Sequence, residues 1–386
     1  MFAGDDTAEV SLDLPCRAVC AVRANRNETQ FLVGSCSTSE TNRIHVLHYN
    51  NNNNNNNDEV NVRAQLVQEQ GPMEVICSSP KDPTLLCTAH SSSQLLLQQL
   101  PDEAVVTTTY SSDDDRMDAT SSTTMEQLIA LETNGIVSDI SWGDESSTGE
   151  LLFITRSGHL TQFDIETQQF IRTLSLESST TLPRLQWDPH ANGHAVAVTV
   201  GKRVHLLDWR TDTSIPTGTV DAFVAHRRPG HVTALDYNPN KPYVLATGGQ
   251  DGLVQFWDLR LTNRPLLVAR GGHSHWISSL QYNPFHDQLV LSSGTDSIAN
   301  LWRMSTISSA PLLTNDADVV NGEEEDDDNA SETAGPNARI ARHEHVDAIY
   351  GSCWSAADAW VYLTLGYDGK VQCHSVPSKE KYKILL

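Results

Sequence analysis

The stretch "GGHSHWISSLQYNPFHDQLVLSSGTDSIANLW" (271–302) decides how the chain is read. It contains His273, Ser292 and Asp296, the residue types of a hydrolase triad, and it closes on Trp302. Two further histidines, His275 and His286, invite a metal-site reading. A catalytic triad occurs once and offers its nucleophile to a cleft, so recurrence is the test. In "HVTALDYNPNKPYVLATGGQDGLVQFWDLR" (231–260), Thr247 precedes Asp251 by four residues and Trp257 follows it by six. Ser292, Asp296 and Trp302 keep the same intervals. In "HVDAIYGSCWSAADAWVYLTLGYDGKVQCHSV" (345–376), Thr364 and Asp368 keep them too, with His374 in the Trp slot. A histidine stands upstream of each set: His226 (with His231 as its rival), His273 and His345.

A set that recurs in register with the strand pattern is a building device. Indole N–H, hydroxyl, imidazole and carboxylate can form one hydrogen-bonded chain across three strands, which satisfies each buried polar group and pins the register. The expectation is therefore structural tetrads, from His226, Thr247, Asp251 and Trp257 in one unit and from His273, Ser292, Asp296 and Trp302 in the next. A third unit draws on His345, Thr364 and Asp368. No catalytic residue is assigned, and no cofactor or metal. His273 and His275 have no Cys or carboxylate at ligand spacing, and "GGQDG" (248–252) is followed by neither a basic residue nor a helix start.

The apolar runs "YVLATGG", "LVLSSG" and "VYLTLGY" read as strands buried on both faces. Asp251 and Asp296 are 45 residues apart, which matches the ~40–45-residue period of a four-stranded propeller blade. Weaker copies occupy 31–50, 74–100, 135–165 and 182–210, the last two carrying Phe163-Asp164 and Leu207-Asp208 where Trp-Asp would stand. The expected fold is an all-β, seven-bladed β-propeller of the WD40 type, one domain over 1–386. Residues near Val10 to Leu14 are expected to close the ring by pairing in the last blade. Three stretches at 50–58, 106–126 and 313–338 lack the apolar content that offsets chain entropy and read as disordered insertions. The tail spans 378–386.

Composition narrows the function classes. Hydrophobic residues at 39% with eight tryptophans supply a substantial core, and a mean hydropathy of −0.36 fits a soluble chain. The net charge of −23, from 49 acidic against 26 basic residues, repels phosphate backbones and anionic lipid. Direct nucleic-acid binding is not expected, and membranes are to be reached through partners. Seven cysteines without paired spacing read as reduced thiols of the cytoplasm, and the N-terminus has no signal-peptide pattern.

"LDYNPNKPYVLATGGQDGLVQFWDLR", "HSHW" with "YNPFHDQLVLSSGTDS", and "WSAADAWVYLTLGYDGKVQ" resemble the WD-repeat family. Within it they look like the WD-repeat proteins that interact with the endosomal tethering complexes EARP and GARP. "FLVGS" followed by "RIHVL", the acidic insertion before the last blade and the "KYKILL" ending share that likeness. The resemblance implies a non-enzymatic adaptor acting in endosomal recycling and endosome-to-Golgi retrograde transport. It would be a monomeric ring, cytoplasmic and peripheral at endosomes and the trans-Golgi network. His275 and Trp276, in the turn that opens the sixth blade, are candidate contacts, since Trp is favoured at interface centres. Tyr382, Ile384, Leu385 and Leu386 either pack under the ring, as an extra strand, or are held by a partner. Two rival readings stand. "WDLR" (257–260) fits the Trp-Asp-x-Arg pattern of cullin-type ubiquitin-ligase substrate receptors and makes Arg260 a candidate. A chromatin-binding propeller would use the acidic loop to attract basic tails.

Overall fold

The computed structural model describes residues 7–51, 58–105, 125–143, 149–176, 182–208, 221–226, 230–311 and 335–385. Among these, seven four-stranded antiparallel sheets form the blades of a β-propeller. Blade one comprises Cys16–Ala21, Thr29–Ser35, Asn42–Asn50 and Glu59–Gln68. Each later blade repeats that meander, and the inner strands of blades two to seven begin at Met73, Val137, Leu185, Val232, Ile277 and Ile349. The second strands, such as Val244–Gly249, Leu289–Gly294 and Val361–Gly366, are buried along their whole length. Their continuous apolar runs have that cause: a blade is covered on both faces by its neighbours.

Closure is a matter of strand pairing. Ala8–Ser11 is the fourth strand of blade seven, with Ala8 opposite Cys373 and Ser11 opposite Lys370. The closing strand thus begins two residues before the expected segment. Leu12 and Leu14 follow it as buried linker residues, Leu12 N–H donating to the Gly369 carbonyl at 3.0 Å. The seam is also apolar: Cys16, Phe31 and Leu47 of blade one share a cluster with Leu363, Val371 and Cys373 of blade seven. Burying one such aromatic or aliphatic side chain contributes roughly 1.5–3 kcal/mol. Inner-strand tryptophans stitch blade to blade, Trp142 Nε1 donating to the Cys77 carbonyl at 3.2 Å.

The three expected insertions lie for the most part outside the described residues, but strands enter their edges. Asn50 ends a strand of blade one, Glu126 begins the outer strand of blade two, and Asn337–Glu344 forms the outer strand of blade six. The tail corrects an expectation. Ser378–Leu385 is a helix, and Pro377 supplies the carbonyl that its Glu380 and Lys381 N–H groups take up. All seven cysteines are free, and burial pushes the thiols up, Cys16 to about 12 and Cys77 to about 11.

Candidate protein-interaction surfaces

In blade five, Trp257 Nε1 donates to Thr247 Oγ1 at 3.0 Å, Thr247 meets His226 Nε2 at 3.1 Å, and His226 Nδ1 reaches Asp251 at 2.9 Å. Blade six repeats the chain, Trp302 to Ser292 at 2.8 Å, Ser292 to His273 at 2.8 Å and His273 to Asp296 at 3.2 Å. Burial by itself raises the Asp296 carboxyl, yet the bond from His273 and the N–H groups of Ser274 and Ile298 outweigh it and hold the group below its usual value. Ser292 is fully buried. A hydroxyl walled in this way meets no substrate, and both nitrogens of His273 are engaged, which leaves none for a metal. His231, the rival histidine, sits on the rim with its N–H bonded to Gln250.

Blade seven departs from this pattern. His345 meets Thr364 at 2.8 Å and His374 meets it at 3.1 Å, so an imidazole replaces the indole. Asp368, however, is exposed, and His345 Nδ1 has no hydrogen-bond partner among the described residues. His374 stacks on His343 at 3.6 Å, and His343 bonds the Tyr362 hydroxyl at 2.8 Å. Burial drives His343 and His345 down to about 4, and holds His374 well below its usual value. Sequence reasoning also missed the set in blade two, where Thr88 bonds His90 at 3.0 Å and Gln98 at 3.1 Å. There the histidine lies two residues after the threonine, on the same strand, where a search for an upstream His does not look.

The candidate contact residues fall on two faces. Trp276 immediately precedes the inner strand of blade six and so lies on the rim where inner strands begin. It is 46% exposed, stacked on His275 with ring centroids 5.4 Å apart. His275 is fixed by Thr295 Oγ1 at 2.6 Å. Arg260 and the C-terminal helix lie at the opposite face. Arg260 already forks onto Asp258 at 2.9 and 2.7 Å and covers the Tyr243 ring at 5.3 Å. In the helix, Glu380 is buried and accepts from Arg303 of blade six and from Lys383 at 2.8 Å. Ile384 packs on the cluster containing Leu289, Leu301 and Tyr362. Tyr382 and Leu385 point outward, 66% and 63% exposed, and Leu386 lies outside the described residues.

Down the axis runs a channel of about 510 Å³ lined by the inner strands. Blades one, two, three, five, six and seven each carry a register shift after the first residue of the inner strand. Such bulges re-aim the side chain they displace. Among the described residues no three His, Cys, Asp or Glu side chains are placed to hold a metal, and no helix is long and apolar enough to cross a membrane.

A seven-bladed ring with repeated Trp/hydroxyl/His/Asp sets defines a WD-repeat propeller. A family model described as the EIPR1 β-propeller matches residues 6–302, and the chain belongs to that family. It is 30% identical to the EARP and GARP complex-interacting protein 1 of Rattus norvegicus, over 99% of this chain and all of that protein. It is 31% identical, with the same coverage, to an EARP-interacting protein homolog of Danio rerio. A WD repeat-containing protein DWA2 of Arabidopsis thaliana is 24% identical over 97% of the chain.

Proposed function

We propose that this chain is a non-enzymatic adaptor, a single propeller that binds endosomal tethering complexes of the EARP and GARP kind. The observation that carries the reading is the full-length likeness to relatives named for interacting with those complexes. The geometry supports it. The His, hydroxyl and Asp sets are consumed by the scaffold, while both faces of the ring present exposed aromatics on anchored elements. Acting through such partners, the ring would work at endosomes and the trans-Golgi network, in recycling and retrograde transport. The contacts proposed are Trp276 with His275 on one face, and the exposed Tyr382 and Leu385 of the C-terminal helix on the other.

Affinity purification of the tagged chain from its own cells, at moderate salt, tests this. Tethering-complex subunits in near-stoichiometric amounts are expected, whereas a cullin adaptor lost with Arg260→Ala, or histones, would contradict the proposal. Comparing Trp276→Ala with a Tyr382→Ala, Leu385→Ala pair assigns the face.

A further inference from the structure

The channel has an unusual charge for this protein. Its lining holds five arginines, Arg17, Arg23, Arg26, Arg156 and Arg184, against four carboxylates, in a chain with 26 basic and 49 acidic residues. Three of those arginines gather at the mouth where the inner strands begin. Arg17 is the second residue of its inner strand, Arg184 directly precedes Leu185 of the next-but-two, and Arg156 follows the strand end at Thr155, which pairs with Val137.

Their partners show what they accept. Glu74 sits between Arg17 at 2.9 Å and Arg156 at 2.8 Å, so one carboxylate is already held by two guanidinium groups. Arg156 Nε still has no hydrogen-bond partner among the described residues. Arg184 is held across the mouth by carbonyls, Thr233 at 3.2 Å and Ser138 at 3.3 Å. The nearest carboxylate to it, Asp139, stands off at 4.0 Å and instead accepts the N–H groups of Ile140 and Leu185, each at 3.0 Å. Tyr350 lies under Arg17 at 5.3 Å and meets Tyr367 edge-on at 5.5 Å, a flat apolar wall beside the charges.

We infer that this mouth is a binding site for an acidic peptide segment of a protein partner, whose carboxylate side chains seat among Arg17, Arg156 and Arg184. Guanidinium forks match carboxylates bidentately. A net charge of −23 makes unspecific capture of a polyanion unfavourable, so attraction has to come from a local field. Glu74 acts as an internal competitor that keeps the arginines ordered until the peptide arrives. The site does not depend on which complex the ring serves, and its test uses no tethering subunit.

The test is fluorescence anisotropy of the full chain, at low salt, with fluorescein-labelled hexaglutamate and a hexaglutamine control. Saturable binding of hexaglutamate alone is expected. Arg156→Gln, at a half-exposed turn, should weaken it about tenfold, the worth of one charge-assisted hydrogen bond. Arg184→Gln should do the same, with a melting curve to confirm the fold. Glu74→Gln should tighten binding by removing the competitor, an effect that mere structural loss cannot mimic. Equal binding of the two peptides, no saturable binding below ~1 mM, or affinities indifferent to both arginine changes would overturn the assignment.

Discussion

An Asp that accepts from His226 or His273 is joined to a buried imidazole, and removing it leaves that N–H without an acceptor. Asp296→Ala should therefore cost ~1–3 kcal/mol, and Trp302→Ala roughly 3–5 kcal/mol through the cavity it leaves, both read by urea unfolding. Asp368→Ala should cost far less, because Asp368 is exposed and is not hydrogen-bonded to His345. Equal losses at Asp296 and Asp368 would contradict this difference. The recurring intervals were enough to find all three aspartates, since the turn they form is local: each accepts the N–H two residues on. Whether the carboxylate also meets its histidine depends on the packing of the rim, which spacing does not encode. Blade seven adds a pH effect. His343 and His345, at about 4 in the folded ring, stay neutral while the unfolded chain takes up protons below about 6.5. Their stabilisation is complete above pH 6.5 and is lost as pH falls toward 4. Asp236, which burial pushes up to about 7, works in the opposite sense, but it is common to wild type and variant. His343→Phe should accordingly flatten the fall in unfolding free energy between pH 7 and 5, by at most ~1.4 kcal/mol per pH unit. Parallel profiles for the two proteins would sink that account.

Two terminal elements hold the ring together, and only one of them was readable. The strand Ala8–Ser11 covers the edge of Lys370–Ser375, so deleting residues 1–11 should expose an unpaired strand and shift the protein to soluble aggregates in light scattering. Its place followed from the need to close a propeller. The helix Ser378–Leu385 is masked in the sequence because "YKILL" weighs as apolar tail, while the signal lies just before it, in Pro377-Ser378 at the helix start and the helix-forming Lys-Glu-Lys that follows. Its anchor is equally hidden: Arg303 follows Trp302 in a strand and looks like a surface charge, yet it is buried and bonds Glu380. Breaking such a pair from one side strands the other charge. Glu380→Gln should cost ~3–5 kcal/mol, whereas Arg303→Met with Glu380→Leu should recover most of it. Tyr382→Ala, on the exposed side, should move the midpoint by less than ~0.5 kcal/mol. If instead it destabilised strongly, the helix would be part of the core and not a surface for partners.

At the scale of the whole molecule, an acidic ring carries an arginine-lined axis and two faces with different exposed aromatics. The blade period and the tetrad intervals in residues 231–376 made the architecture legible, because blades five and six solve the same packing problem with the same residue types and blade seven keeps their spacing. The channel was not legible. Arg17, Arg156 and Arg184 are far apart in sequence and come to one mouth only because inner strands begin there and the second strand of blade three ends there. The adaptor account rests on direct binding, and reconstitution tests it most directly. Purified chain is mixed with purified tethering complex, and the mixture is run on size exclusion with light scattering. The account predicts a co-eluting complex of fixed stoichiometry that Trp276→Ala or the Tyr382→Ala, Leu385→Ala pair dissolves without unfolding the ring. Two folded components that elute apart at micromolar concentration would contradict it.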